Sequence, residues 1–261
     1  MAALPKRVID EYTNQLNLVS DGMKKALADA LEMVDWSDMN RAREQVLELM
    51  QIYCGGATDA AATLAARFYG VARQYELGTQ YEALALSGRV PEATDKAVYS
   101  FFARKGATPE KITAQLMERV GYETKRAAGD CVFINGSRDR VKPRYARVPS
   151  GSETCQFCLM LGGRGFVYRS QASAGYLNHY HDNCDCRVVP SWGANDIEGY
   201  DPAAIAQQWS DSVEETARVR AERNGTTEAE ERKKIIKSLE AGASRAKGRR
   251  NLRAAEKAAG V

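Results

Sequence analysis

Val8, Tyr12, Leu16, Val19, Met23, Leu27, Leu31 and Val34 recur at intervals of three and four, the spacing that lines one face of a helix. The chain is therefore expected to open with a long amphipathic helix. Val46, Leu49, Met50 and Tyr53 form a second apolar series, and an alanine-rich stretch carrying Leu64, Phe68, Val71 and Tyr75 forms a third. These predict two more helices, packed helix on helix against the first.

Gly88 to Pro91 interrupts the pattern, after which Val98, Phe101 and Phe102 mark another helix. Thr108 followed by Pro109 supplies an N-cap and a first-turn proline for the next, which carries Ile112, Leu116 and Val120. Residues 135–143, NGSRDRVKP, combine turn formers with charge and suggest a domain boundary. Beyond it, Tyr145 to Val148 reads as a short strand whose partner contains Val188 and Val189. Asp201 with Pro202 begins a further helix that buries Ile205, Trp209 and Val213, and Thr227 with Glu230 forms a capping box for a last one. The expected fold is mainly α: a helical domain over residues 1–138, a small α+β module stapled by cysteine and histidine over 139–192, and a basic helical tail over 193–261.

Chemistry concentrates in the middle module. Both histidines of the chain, His179 and His181, and four of its six cysteines, Cys155, Cys158, Cys184 and Cys186, fall in one short stretch. Thiolate and imidazole are the donors zinc prefers, and a CxxC turn contributes two of them at once. In a reducing compartment such clustered cysteines point to metal instead of disulfides. Six candidates exceed the four places of a tetrahedral ion. Cys155 and Cys158 are the firmest, His181 is favoured for the third, and Cys184 and Cys186 compete for the fourth. Four protein ligands close the coordination sphere, and a closed site stabilises structure instead of activating water, so the protein is expected not to be an enzyme. Cys54 and Cys131 lie outside the cluster among small or apolar residues and read as buried packing thiols. Gly162, Gly163 and Gly165 allow sharp turning between the ligand pairs. The GGRG they form lacks the GxxxxGK[ST] pattern of a phosphate loop.

Charge adds a second feature. The net charge of +3 hides an asymmetry, because residues 217–261 hold 13 Lys or Arg against 6 Asp or Glu, a local net of +7, leaving −4 for the rest. A basic tail of this kind suits an acidic surface or a non-specific contact with double-stranded DNA. Arg245, Lys247, Arg249, Arg250 and Arg253 crowd its end, where few apolar residues could build a core. With 44% hydrophobic and 27% charged residues, the composition excludes fibrous and wholly disordered classes. Met1 to Tyr12 holds no apolar run fit for a signal peptide, and no later run reaches the roughly 18 apolar residues of a membrane helix, so a cytoplasmic product without a membrane partner is expected.

The stretch RYARVPSGSETCQFCLMLGGRGFVYRS, followed by YHDNCDCRVVPSW, resembles the MuF-like minor head, or head-morphogenesis, proteins of tailed phages, most closely the versions from phages of actinobacteria. That family's pattern, CxxC, a variable spacer, then His, two residues and CxC near a proline, falls here on Cys155, Cys158, His181, Cys184 and Cys186. The similarity spans about Asp139 to Trp192, with a weaker echo in ARFYGVARQYE around Phe68 to Tyr75. The resemblance implies a minor capsid protein present in few copies, partnered by the portal protein and by the major capsid or scaffold protein. It would be made in the host cytoplasm and carried inside the virion, with a role in DNA packaging or ejection.

Two other classes compete. A metal-dependent nuclease would use His179 as general base, but its hard metal would have only Asp182 and Asp185 as carboxylates, and thiolates suit such an ion poorly. A zinc-containing DNA-binding regulator would need a basic recognition helix beside the metal, whereas Cys155 to Met160 is apolar and the basic residues lie far downstream.

Overall fold

The computed structural model describes residues 3–151, 154–170 and 186–239 of the chain. They form two compact units, one of residues 5–140 and one of residues 3–4, 141–151, 154–170 and 186–239. The chain is mainly helical, as its apolar spacing predicts, and no helix among the described residues is long and apolar enough to cross a membrane.

The first unit is a helical bundle. Helix α1 (Lys6–Leu31) packs on α2 (Met39–Leu77) and α4 (Pro109–Arg138), and α3 (Pro91–Phe102) packs on both α2 and α4. Its main core joins Leu27 and Leu31 of α1, Val46, Met50 and Cys54 of α2, Val98 of α3, and Ile112, Leu116 and Val120 of α4. At the other end of α1, Tyr12 stacks on Phe68 with ring centroids 4.3 Å apart. Within α1 the buried face is set by Ile9, Tyr12, Leu16, Leu27 and Leu31, with Ser20 included, while Val8 and Val19 stand at its edge.

Two helices were expected between Val46 and Tyr75; the structure has one, the 39-residue α2. Glycine in a helix interior costs about 1 kcal/mol relative to alanine. Here Gly55 and Gly56 lie inside α2 because of what occupies their missing side-chain positions. A Cβ on Gly55 would stand 3.2 Å from the Arg89 guanidinium, and one on Gly56 would stand 3.1 Å from the terminal methyl of Met23. The pair admits neighbours instead of ending the helix. Asp38 caps the start of α2 by accepting from the N–H groups of Asn40 and Arg41, and Gly78 ends it in the left-handed region at φ +70°.

The expected turn at residues 135–143 also begins later than the sequence suggests. Helix α4, capped by Thr108 as predicted, continues through Asn135 and Gly136 to Arg138. Asn135 is held in the helix because its side-chain amide is fully used, donating to the carbonyls of Leu84 and Cys131 and accepting from Leu84 N–H. Asp139 terminates α4, buried, and receives the Tyr69 hydroxyl at 3.0 Å and Arg73 Nε at 2.7 Å.

The second unit is built on the two-stranded antiparallel pair of β1 (Arg144–Pro149) and β2 (Cys186–Ser191), with Tyr145 opposite Pro190 and Pro149 opposite Cys186. Helix α5 (Gln156–Gly162) packs on β1 and on α6 (Pro202–Asn224). Asp201 caps α6 through Ala203 and Ala204, as its sequence position predicts. The last described helix, α7 (228–239), starts with the expected reciprocal box: Thr227 N–H donates to the Glu230 carboxylate, and Glu230 N–H donates to the Thr227 hydroxyl. Val213 and Ala217 meet Ile235 in a small core of their own. Leu4 bridges Ile197, adding the first described residues to this unit. Arg245, Lys247, Arg249, Arg250 and Arg253 of the basic tail lie outside the described residues.

Candidate metal centre

Cys155 and Cys158 sit at the start of α5, and their spacing has a direct local consequence. Cys155 is the N-cap, in extended backbone, and its sulfur accepts from Cys158 N–H at 3.4 Å. A thiol in place of the usual hydroxyl thus covers one of the unpaired donors at a helix start. Cys158, one turn on, is fully buried beneath the helix.

Close packing aims α5. A Cβ on Gly162 would come within 2.9 Å of the Arg147 carbonyl on β1, and one on Gly163 within 2.8 Å of Ala206 Cα on α6, so both glycines are contact points and not hinges. Gln156 ties the first turn to α6, donating to Ser212 O and Oγ and to Thr216 Oγ1 at 2.7–2.9 Å. The Tyr168 and Tyr200 hydroxyls donate to the carbonyls of Leu161 and Gly162 at its last turn. Burial pushes the Tyr168 phenol up to about 12. Gly165, at φ +65°, makes the turn that follows. The GGRG segment is therefore packing and turn.

The result is a sulfur pair. Cys158 Sγ lies 3.0 Å from Cys186 Sγ, the first residue of β2, and both residues are excluded from solvent. Two sulfurs sharing a tetrahedral zinc stand about 3.8 Å apart, given zinc–sulfur bonds of about 2.3 Å. A disulfide needs about 2.05 Å. The pair lies between these limits, nearer the first. The arginine beside it was not singled out by sequence. Arg147, the largest fully buried side chain of the described residues, donates Nη2 to Cys186 Sγ at 2.7 Å and Nε to the same sulfur at 3.2 Å. Its one sequence signal is an arginine set between two apolar residues, Ala146 and Val148.

Of the predicted ligands, the structure brings Cys158 and Cys186 together and sets Cys155 one helical turn away. His179, His181 and Cys184 lie outside the described residues, as do Asp182 and Asp185. Among the described residues, no group of three or more Cys, His, Asp or Glu side chains is arranged to hold a metal ion. The donors that are described fit a thiophilic ion in kind, with a knuckle sulfur at a helix start facing a strand sulfur.

Cys54 and Cys131 behave differently. Both are fully buried in the helical unit. Burial pushes the Cys54 thiol up to about 12, and burial also raises Cys131, whose sulfur donates to the Ala62 carbonyl at 3.3 Å. Neither takes part in the sulfur pair.

Comparison with known proteins agrees with a phage origin. The family model described as VG15 protein matches residues 4–212. The Gene 15 protein of Mycobacterium phage L5 is 29% identical, over 41% of this chain and 50% of that protein. The Gene 15 protein of Mycobacterium phage D29 is 27% identical, over 51% of this chain and 62% of that protein. The chain thus spans between half and about three-fifths of the curated relatives it matches. No solved structure matches significantly. With most of its length covered by one family model and its relatives in mycobacteriophages, the chain is a phage protein of the actinobacteriophage type and belongs to the VG15 protein family.

Proposed function

We propose that this protein is a MuF-like minor capsid protein of a tailed phage. It binds the portal and the capsid interior during head assembly and travels inside the virion, aiding DNA packaging or ejection. The observation that carries the reading is the knuckle-and-strand arrangement: Cys158 of a CxxC pair meets Cys186 of a CxC pair on an antiparallel two-stranded scaffold, inside a stretch that resembles that family. Membership of a phage protein family supports it.

In this reading the module carries one structural zinc ion, held by Cys155, Cys158 and His181 with one of Cys184 and Cys186. The ion supplies no reaction chemistry and acts by joining the ends of α5 and β2. Among the described residues the sheet of the module has two strands, and a two-stranded pair is marginal by itself, so the ion would add to the packing of α5 on β1. The helical unit supplies the docking surface for portal and for major capsid or scaffold protein. The basic tail supplies a contact with double-stranded DNA that is independent of base sequence.

Affinity isolation of the tagged chain from phage-producing cells, before DNA is packaged, tests this. Portal protein should co-isolate at a fixed ratio. Isolation with neither portal nor capsid protein overturns the reading.

A further inference from the structure

The start of α1 and the end of α2 leave a groove of about 210 Å³ between them. Val8, Tyr12 and Gln15 line it from α1 and Leu64, Phe68 and Val71 from α2, each series at steps of four and three, so the groove follows one face of each helix. Tyr12 and Phe68 are buried and stacked on each other, whereas Val8, Leu64 and Val71 are only half-buried and keep apolar surface open to the groove. Leu18 continues the α1 series one step beyond Gln15 and is 73% exposed.

Cavities that hold a drug-sized ligand or a cofactor measure about 300–1,000 Å³, so a groove of this size suits side chains inserted from outside. A cleft between two helices accepts the side-chain ridge of a third, which anchors itself at the same steps of three and four. Charge at the rim is one-sided. Arg7 and Arg67 are both exposed, and neither forms an ion pair among the described residues. Arg7 donates Nη2 to the neutral Tyr75 hydroxyl at 3.0 Å, and the Glu11 carboxylate accepts from Gln15 Nε2 at 3.2 Å instead of from an arginine. Two guanidiniums against one carboxylate leave a net positive rim beside apolar surface, which complements a helix whose apolar stripe is flanked by carboxylates. A basic helix would meet like charge there, and a wholly polar one would leave Val8, Leu64 and Val71 uncovered.

Resting on the reading of the helical unit as the docking surface, we propose that the groove between α1 and α2 seats an acidic amphipathic helix of a partner protein, its apolar face on Val8, Leu64 and Val71 and its carboxylates on Arg7 and Arg67.

The test uses the full chain and three fluorescent helical peptides, read by anisotropy: one with a leucine stripe flanked by glutamates, the same stripe flanked by lysines, and the glutamate peptide with its leucines replaced by glutamine. The leucine–glutamate peptide should bind and the other two should bind more weakly. Exposed ion pairs are individually weak, so Arg7→Glu and Arg67→Glu should each lower its affinity about 2- to 5-fold, and the double variant should prefer the lysine peptide. Val71→Asp should weaken every peptide by more than about 10-fold. If Val71→Asp does not fold, the two exposed arginine variants decide. Failure of the wild type to bind the leucine–glutamate peptide overturns the inference, as does equal binding of the glutamate and lysine peptides or an unchanged preference in the double variant. A concentration-dependent dimer abolished by Arg67→Glu would make the occupant a second copy of this chain and also overturns it. Portal co-isolation with a wild-type chain that binds no peptide overturns this inference alone, whereas peptide binding without co-isolation of portal or capsid protein overturns the proposed function alone.

Discussion

Asn135 and Leu84 are joined by a reciprocal pair of hydrogen bonds: Leu84 N–H donates to Asn135 Oδ1 at 2.8 Å, and Asn135 Nδ2 donates to the Leu84 carbonyl at 2.9 Å. One side chain on α4 serves both backbone groups of a residue in the irregular segment after α2, as a neighbouring strand would. Removing a partner from a buried polar group costs about 1–3 kcal/mol. Asn135→Ala should therefore lower the urea midpoint by an amount equivalent to about 2–3 kcal/mol at unchanged slope. An effect below about 0.5 kcal/mol would show that the segment is held by other contacts.

Asp139 is the second buried polar anchor of the helical unit. It accepts from Tyr69 and from Arg73, which is itself nearly buried. Removing one member of a buried ion pair costs about 3–5 kcal/mol because the other is left uncompensated. Asp139→Ala should show a loss of that size. Adding Arg73→Met to it should cost much less than the sum of the single changes, as a double-mutant cycle in urea would reveal.

Gly163 tests the packing that aims the cysteine knuckle. Its φ of −65° is open to any residue, so the constraint is space, with Ala206 Cα 2.8 Å from where a Cβ would be. Overpacking of this kind costs about 1–3 kcal/mol. Gly163→Ala should destabilise the second unit by that amount, read as faster hydrogen exchange in α5 and α6 with α1 and α2 unchanged.

Alkaline stability should report the Cys54 thiol. Burial raises it from 9.0 to about 12, so the folded state favours the neutral form. That contribution is complete below pH 9, where the unfolded chain also keeps its proton, and is lost as pH rises from about 9 towards about 12. Urea midpoints should fall across this window, and Cys54→Ala should flatten the fall. An unchanged pH slope in the variant would contradict the assignment.

Local rules of capping and strand alternation made several features legible in sequence. Thr108 with Pro109, Asp201 with Pro202, and Thr227 with Glu230 each mark a helix start that the structure reproduces, because a cap is satisfied within three residues. The strand pair was legible for a related reason, since Tyr145–Val148, apolar apart from Arg147, and Val188–Val189 flank the cysteine cluster. Features that depend on distant partners were not legible. Gly55 and Gly56 look like a break until Arg89 and Met23 are seen against them. Asn135 looks like a turn former until Leu84 is seen beside it. Arg147 looks like a surface strand residue until the Cys186 sulfur appears across the sheet. Cys158 and Cys186 were named from sequence and meet, while His179, His181 and Cys184 fall outside the described residues.

In the function proposed above, this chain is a structural component of the phage head. Quantitative mass spectrometry of density-purified particles decides whether it is. The chain should be present in every preparation, at a few copies per portal ring and protected from protease until the capsid is opened. Its absence from intact particles that contain portal and capsid proteins would show that it is not a head component.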